Sequence, residues 1–213
     1  MHSQKGIIIQ RKRARKIVSA LERLYPKSGA FLNFKNPWEL LVAVILSAQC
    51  TDKKVNEVTQ TLFKKYRTLA AYVNANPREF ELDIRPTGFY RSKTKNILST
   101  ARIVRERFGG KVPRTMEELL TLPGVGRKTA NIVLELAYGI VVGIPVDTHV
   151  RRLARIWNLT RHNDPNRIEQ DLMMLIPKKD WPGISYRMVA YGREYCPAKK
   201  HDHAQCPISK IRV

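Results

Sequence analysis

The stretch LPGVGRKTANIVL, residues 122–134, joins a glycine-rich turn to the start of an apolar helix. Thr115, three residues before a glutamate, predicts the cap of a helix ahead of this turn, and Gly139 predicts the end of the helix behind it. Two helices joined by Pro-Gly-Val-Gly form a helix–hairpin–helix. Gly124 and Gly126 allow a tight turn and let backbone N–H groups approach a phosphate without interference from a side chain.

Two cations, Arg127 and Lys128, follow the turn at a helix N-terminus, where the helix dipole disfavours positive charge. The residues leave two interpretations open. Either the side chains point into solvent and Lys128 binds a phosphate, or Lys128 is an amine whose ammonium form is destabilised. A neutral amine is a nucleophile that can attack C1′ of a sugar and form a Schiff base.

The composition indicates a nucleic-acid partner. The chain has 213 residues and a formal net charge of +21, an excess that suits binding to a polyanion. No apolar segment approaches the length of a membrane span, and the three isoleucines near the N-terminus are too few for a signal peptide. Three cysteines argue against a disulfide framework. We therefore expect a cytoplasmic, nucleoid-associated protein.

Helical periodicity dominates the sequence, and the alternation typical of strands is almost absent, which predicts an all-α fold. Asn36 and Pro37 predict the start of the helix WELLVAVILSAQ. This segment is apolar nearly all round, so we expect it to be buried at the centre of the molecule. Further helices are predicted to begin at Ser92, at Asp147 and at Asn166.

The hairpin, together with IPVDTHVRRLARI at residues 144–156, resembles the endonuclease III family of DNA glycosylases. In that family a helix–hairpin–helix is followed by a Gly/Pro-rich loop and an aspartate. The similarity continues upstream in NPWELLVAVILSAQCTDKKVN and GFYRSKTKNI, and downstream in YGREYC. It covers nearly the whole chain from about residue 30.

The resemblance implies a base-excision-repair DNA glycosylase with AP lyase activity, which removes oxidised or otherwise damaged pyrimidines from double-stranded DNA. It makes Lys128 the catalytic nucleophile and Asp147 the essential carboxylate, acting through a Schiff base and β-elimination. None of these steps needs a metal. From the residues alone, Asp147 equally well predicts an ordinary N-cap of the helix that follows it.

The resemblance also implies which residues touch DNA. Gln49 aligns with the residue that fills the gap left by a flipped-out base. Phe89 aligns with an apolar wedge, although its sequence context also fits a core aromatic. The predicted DNA-binding residues are Gln49, Phe89, Leu122, Gly124, Val125, Gly126, Arg127, Thr129 and His149.

The implied architecture is the all-α HhH-GPD DNA glycosylase fold, with two helical domains flanking a DNA-binding cleft. Residues 30–140 are expected to form a six-helix barrel that contains the hairpin. Residues 1–29 and 141–213 are expected to form the second helical domain. Lys128 and Asp147 would then face one another across the cleft of a monomer.

The resemblance breaks at the C-terminus. Most family members end with C-x6-C-x2-C-x5-C, whose four thiolates hold a [4Fe–4S] cluster, but this register gives Cys196, His203, Cys206 and Arg212 here. We therefore predict neither such a cluster nor another metal in the degenerate cluster-loop region 196–213, and a basic surface loop in KKHDHAQ, residues 199–205. Zinc on Cys196 and Cys206 with His201, His203 or both is the alternative.

Two other functions stay open. A monofunctional glycosylase for adenine or thymine mispairs usually carries another residue at the position of Lys128, so the lysine favours a lyase. A non-enzymatic helix–hairpin–helix DNA-binding module would share the glycines and the positive charge. It would have no need of Lys128 and Asp147 at this spacing.

Overall fold

A computed structural model describes residues 4–27 and 29–211, and this part of the chain contains helices and turns but no strand. The predicted all-α class is confirmed. The chain divides into two compact units, Ala30–Val142 and the combination of Met1–Gly29 with Gly143–Val213. Among the described residues, no helix has the length and apolar character needed to span a bilayer.

The unit Ala30–Val142 is built around its first helix. The helices of this unit are α2 (Pro37–Leu46), α3 (Asp52–Lys65), α4 (Leu69–Val73), α5 (Pro77–Ile84), α6 (Tyr90–Arg107), α7 (Met116–Leu119) and α8 (Arg127–Tyr138), with a 3-10 turn at Arg85–Thr87. The side chain of Asn36 caps α2 by accepting a hydrogen bond from the Glu39 N–H at 2.9 Å. Every residue from Leu40 to Leu46 is buried, and α2 packs against α3, α6 and α8. The predicted buried central helix is confirmed.

The second unit gathers its helices from both ends of the chain. They are α1 (Gln4–Leu24), α9 (Thr148–Ile156), α10 (Pro165–Leu175) and α11 (Ile184–Glu194), with 3-10 turns at Lys178–Asp180, His203–Gln205 and Pro207–Lys210. Helix α11 packs against α1 and α9. The Tyr25 hydroxyl donates to the Glu194 carboxylate at 2.8 Å, which ties the end of α1 to the end of α11.

Two predicted helix starts are wrong by one to two residues. Helix α6 begins at Tyr90 rather than Ser92, because the Lys93 N–H already bonds to the Phe89 carbonyl at 3.1 Å. Helix α10 begins at Pro165 rather than Asn166, because Asp164 is its N-cap and proline suits the first helical position. Thr115 caps α7 as predicted.

Candidate active site

The hairpin turn is held from one side by α6. Gly124 has φ +79°, in the left-handed region that favours glycine. A Cβ atom at this position would lie 2.9 Å from Nδ2 of Asn96 on α6. The close approach of α6 therefore also requires a residue without a side chain here. The Thr100 hydroxyl donates to the Pro123 carbonyl at 3.0 Å. These contacts fix the loop that precedes α8.

Gly126 has a different role from Gly124. It is the N-cap residue of α8 and has φ −97°, a conformation that any residue adopts. A Cβ atom here would meet nothing within 4 Å. No side chain caps the first turn of α8, and a helix N-terminus of this kind favours an anion.

The cations after the turn lie where the sequence predicts them. Arg127 and Lys128 are the first two residues of α8, and both side chains are exposed. Thr129 is half-buried on the same turn. A primary amine thus stands in solvent beside the N-terminus of a helix that has no capping side chain.

Two of the predicted DNA-contacting residues have their side chains in the core. Leu122 is 2% exposed and Val125 is 7% exposed. The Val125 N–H donates to the Leu122 carbonyl at 3.1 Å, which closes the turn. These side chains anchor the hairpin, so a contact of either residue with DNA would have to use its backbone atoms.

Asp147 is the N-cap of α9. Its side chain accepts a hydrogen bond from the Val150 N–H at 2.8 Å and is half-buried. The chain just before it is fixed, because the Ser185 hydroxyl of α11 donates to the Pro145 carbonyl at 2.7 Å. Val146 is buried next to it. The capping interpretation of Asp147 is therefore confirmed, and it leaves the second carboxylate oxygen for another role.

His149, two residues further on, is held at the contact between α9 and α11. A Cβ atom on Gly192 would lie 2.7 Å from Nδ1 of His149, so α11 admits the imidazole only because residue 192 is glycine. Arg152 lies 3.4 Å from the same nitrogen. An open cavity of 710 Å³ lies beside them, and its lining includes the basic residues His149, Arg151, Arg152 and Arg155. This surface suits an anionic partner.

The two candidate wedge residues share an unusual backbone conformation. Gln49 has φ 54° in the loop after α2, and Phe89 has φ 49° in the loop before α6. Such left-handed values are uncommon outside glycine and mark strained, often functional positions. The Phe89 side chain is 69% exposed, which excludes the core interpretation of this aromatic.

The sequence interpretation missed Lys93. This lysine of α6 is 4% exposed, and its ammonium donates to the Leu46 carbonyl and the Thr87 carbonyl, each at 2.8 Å. Leu46 ends the helix before Gln49, and Thr87 lies two residues before Phe89, so one side chain connects both wedge loops. Burial lowers the pKa of the Lys93 ammonium. The sequence did contain a signal for its burial, because Lys93 lies one turn before Ile97 on the apolar face of α6.

The C-terminal segment brings four possible metal ligands together. Their donor atoms, on Cys196, His201, His203 and Cys206, all lie within 4.8 Å of one another. Cys196, His203 and Cys206 were the predicted weak candidates, and His201 was the further ligand that the zinc alternative allowed; the structure places all four together. Arg212, at the fourth position of the family motif, lies outside the described residues.

Comparisons with known proteins show the family to which the chain belongs. Residues 42–178 match the model of the HhH-GPD superfamily base excision DNA repair proteins. Endonuclease III of Synechocystis is 48% identical over 202 residues, covering 95% of this chain and 92% of the relative. Endonuclease III of Bacillus subtilis is 44% identical, covering 88% of this chain and 86% of the relative.

A solved structure of a trapped endonuclease III–DNA covalent intermediate is similar to this chain with a TM-score of 0.89 and 41% identity. The similarity covers 93% of each chain. The family model spans more than half of the sequence, and the relatives match it almost from end to end. The chain belongs to the endonuclease III family of the HhH-GPD superfamily.

Proposed function

We propose that this chain is a base-excision-repair DNA glycosylase with AP lyase activity, acting on damaged pyrimidines in double-stranded DNA. The observation that carries the proposal is the exposed Lys128 amine on the first turn of α8, directly after the hairpin. A DNA-binding turn with a nucleophile at its end suits chemistry on the sugar of a bound strand. The relatives named endonuclease III support the same activity.

The Lys128 amine, in its neutral form, attacks C1′ of the damaged nucleotide. The C1′–N glycosidic bond breaks, and the base leaves with the bond's electron pair and takes up a proton. The attacking nitrogen loses a proton, the sugar ring opens with protonation of O4′, and a C1′=N iminium results. The enzyme is then joined covalently to the DNA.

Loss of a proton from C2′ of this iminium forms the C2′=C3′ double bond. The C3′–O bond breaks, and the 3′ phosphate leaves with its electron pair, so the strand is cut on the 3′ side. Water then hydrolyses the imine and returns Lys128. Every step uses proton transfers and one amine, so the reaction balances without a metal or a redox partner.

The proposed role of Asp147 is electrostatic. Positive charge develops on the deoxyribose as the base departs, and a carboxylate stabilises it. Oδ1 of Asp147 accepts the Val150 N–H, which fixes the side chain. Oδ2 is then the oxygen that stabilises the positive charge on the sugar.

The hairpin and the wedge loops are proposed to prepare the substrate. The backbone N–H groups around Gly124 and Gly126 bind a phosphate, and Arg127 adds positive charge. Flipping a base out of the stack costs a few kcal/mol and leaves a gap. Gln49 fills the gap, and Phe89 enters between neighbouring bases, as apolar wedges do in other DNA-bending proteins.

The proposal includes no [4Fe–4S] cluster. Such a cluster takes four thiolates, and the whole chain has three cysteines, one of them, Cys50, in the other unit. We also expect the protein to act at the nucleoid, because its proposed substrate is chromosomal DNA.

Borohydride trapping on a duplex with one oxidised pyrimidine tests the proposal. Borohydride reduces the iminium to a stable secondary amine, so the wild-type chain becomes attached to DNA. We expect Lys128→Gln to abolish trapping and strand cleavage while duplex binding survives, since the hairpin backbone is unchanged. Lys64→Gln, at another exposed lysine, is the matched control and should behave as the wild type.

Undiminished trapping by Lys128→Gln would assign the chemistry to another amine. Base release by the wild type without trapping or cleavage would favour a monofunctional glycosylase. Binding without base release would leave only a DNA-binding module.

A further inference from the structure

The C-terminal donor group does not suit the cluster of the family, but it does suit a different ion. We propose that Cys196, His201, His203 and Cys206 bind one zinc ion. Two thiolates and two imidazoles in tetrahedral arrangement are a common structural zinc site. The proposal does not depend on the proposed function, because zinc binding is measured without any assay of DNA repair.

The distances match a tetrahedral site. The Cys206 sulfur lies 3.4 Å from Nε2 of His201, and the Cys196 sulfur lies 3.7 Å from Nδ1 of His203. Zinc bonds of about 2.3 Å to sulfur and 2.0 Å to nitrogen, at tetrahedral angles, place neighbouring sulfur and nitrogen atoms ~3.5 Å apart. All four donor atoms lie within 4.8 Å of one another. The widest separation would therefore have to shorten by about 1 Å when an ion is bound.

The imidazole of His201 is oriented as in a metal site. Its Nδ1 lies 2.8 Å from the Lys199 carbonyl, to which it can only donate. A neutral imidazole that donates through Nδ1 carries its lone pair on Nε2, the nitrogen that lies 3.4 Å from the Cys206 sulfur. Metal-ligating histidines usually donate their other ring N–H to such a carbonyl or carboxylate, which fixes the tautomer.

Without a cation the Cys206 sulfur is a thiol that donates to the Tyr195 carbonyl, so a bound metal ion is what would stabilise the two sulfurs as thiolates. Cys196 and Cys206 are each 1% exposed, and a buried charge is costly unless it is compensated. One Zn²⁺ with two thiolates and two neutral imidazoles has no net charge. The Arg152 guanidinium lies 3.5 Å from the Cys196 sulfur and donates to the Pro197 carbonyl, so it supports the first ligand from outside the group.

The arrangement also argues against an iron–sulfur centre with two irons. A Rieske-type [2Fe–2S] centre also uses two cysteines and two histidines, but both cysteines bind one iron and both histidines bind the other. Here each sulfur has an imidazole nitrogen as a close neighbour, at 3.4 and 3.7 Å. That pairing fits a single ion and not a pair of irons with sulfides between them.

The ion would fasten the C-terminal segment to α11. Cys196 follows the end of this helix, and the other three ligands lie within the next ten residues. Protein contacts already hold the segment at two points: the Cys206 thiol donates to the Tyr195 carbonyl at 3.0 Å, and the Ile208 N–H donates to the Tyr191 hydroxyl at 3.1 Å. Zinc would close the loop between these points, so its removal should destabilise the segment.

Metal analysis of the purified full-length protein is the first test. Protein expressed in medium with both zinc and iron should contain about one zinc per chain, and neither iron nor acid-labile sulfide. Replacing zinc with cobalt(II) should give the visible absorption of tetrahedral cobalt with thiolate ligands. Protein without metal that fails to bind zinc or cobalt would overturn the proposal, and so would stoichiometric iron with sulfide.

Histidine variants make the test specific, because His201 and His203 are less buried than the cysteines and their replacement should not prevent folding. His201→Gln and His203→Gln should each lower zinc content at least tenfold after dialysis against a weak chelator. His162→Gln, an exposed histidine outside the group, is the matched control and should keep its zinc.

Thermal unfolding gives a second readout. A strong chelator should lower Tm of the wild type and of His162→Gln, and leave Tm of the double variant His201→Gln/His203→Gln unchanged. Equal zinc content in all variants, or a chelator effect that persists in the double variant, would place the ion elsewhere and refute the site.

Discussion

Asp147 and Asp164 occupy equivalent positions at the starts of two helices. Asp147 accepts the Val150 N–H at 2.8 Å at the start of α9, and Asp164 accepts the Arg167 N–H at 3.0 Å at the start of α10. Both carboxylates therefore contribute a helix cap, but only Asp147 has a proposed role in the reaction. Substitutions at these two positions can therefore distinguish the effect of losing a helix cap from the effect of losing a catalytic carboxylate.

We expect Asp147→Asn to lower base excision by about 100-fold or more, because it removes the charge that stabilises the sugar. Asparagine is as good an N-cap as aspartate, so the free energy of unfolding should change by less than about 1 kcal/mol. Single-turnover excision and denaturant unfolding measure the two effects. Asp164→Asn is the control and should be fully active; a comparable loss there, or a wild-type rate in Asp147→Asn, would contradict the catalytic role.

The hairpin glycines should respond in opposite ways to substitution. Gly124→Ala places an alanine with a left-handed backbone conformation against Asn96, so it should lower the free energy of unfolding by about 1–2 kcal/mol or more.

Gly126→Asp supplies α8 with a capping carboxylate in open space, so the free energy of unfolding should stay equal or rise. The same carboxylate occupies the phosphate position, so DNA affinity should fall about tenfold or more, equivalent to about 1.4 kcal/mol. Unfolding and fluorescence anisotropy test both; unchanged affinity in Gly126→Asp would remove the phosphate assignment.

At the scale of elements, α6 holds in place the two loops that contain Gln49 and Phe89. Its N-terminus is Phe89 in a left-handed conformation, and its first buried side chain is Lys93. The two hydrogen bonds from this ammonium reach the end of α2 and the 3-10 turn before α6. Hydrogen bonds from a charged donor are stronger than those between neutral groups. Removal of this ammonium would leave both buried carbonyls without a hydrogen-bond partner.

We expect Lys93→Met to lower stability by about 2–3 kcal/mol, because methionine fills the space but leaves two buried carbonyls without a donor. It should also reduce excision from a paired lesion more than cleavage of a single-stranded abasic site, where no stack has to be opened. Gln49→Ala and Phe89→Ala should show the same substrate dependence without the loss of stability. Equal losses on both substrates would show that Lys93 matters only for folding.

At the scale of the whole molecule, the net positive charge should dominate non-specific binding to DNA. A net charge of +21 should make binding to undamaged duplex strongly dependent on salt, because each neutralised phosphate releases counterions. With six to ten phosphate contacts, affinity should fall by about 1,000- to 100,000-fold between 50 and 200 mM salt. Anisotropy titrations at several salt concentrations measure the slope, and a flat dependence would contradict this view of the charge.

Much of the fold was predictable from local signals. Local sequence patterns predict the cap Asn36, the apolar run behind it and the cap Asp147, because each depends only on interactions between residues close in sequence. The structure confirms all three. The start of α6 was not predictable in this way. Its first turn depends on the left-handed Phe89, and nothing in the letters around Ser92 indicates that conformation.

The candidate site was predictable only in part, because sequence motifs identify residues but not the direction of their side chains. Leu122 and Val125 belong to the hairpin motif, yet their side chains lie in the core. Lysine is usually a surface residue, but Lys93 is buried and donates to the carbonyls of Leu46, at the end of α2, and Thr87, in the 3-10 turn before α6. His201 joins the sulfurs through a fold of the C-terminal loop that ligand spacing alone did not determine.

The left-handed backbone at residues 49 and 89 also limits how this protein can evolve. Side chains branched at Cβ are strongly disfavoured at positive φ, so valine, isoleucine and threonine are poor replacements at both positions. Unbranched residues such as leucine, methionine and tyrosine remain accessible in place of Phe89. The substitutions that remain possible at these two positions therefore change the length and aromaticity of the side chain without changing the backbone conformation of the loop.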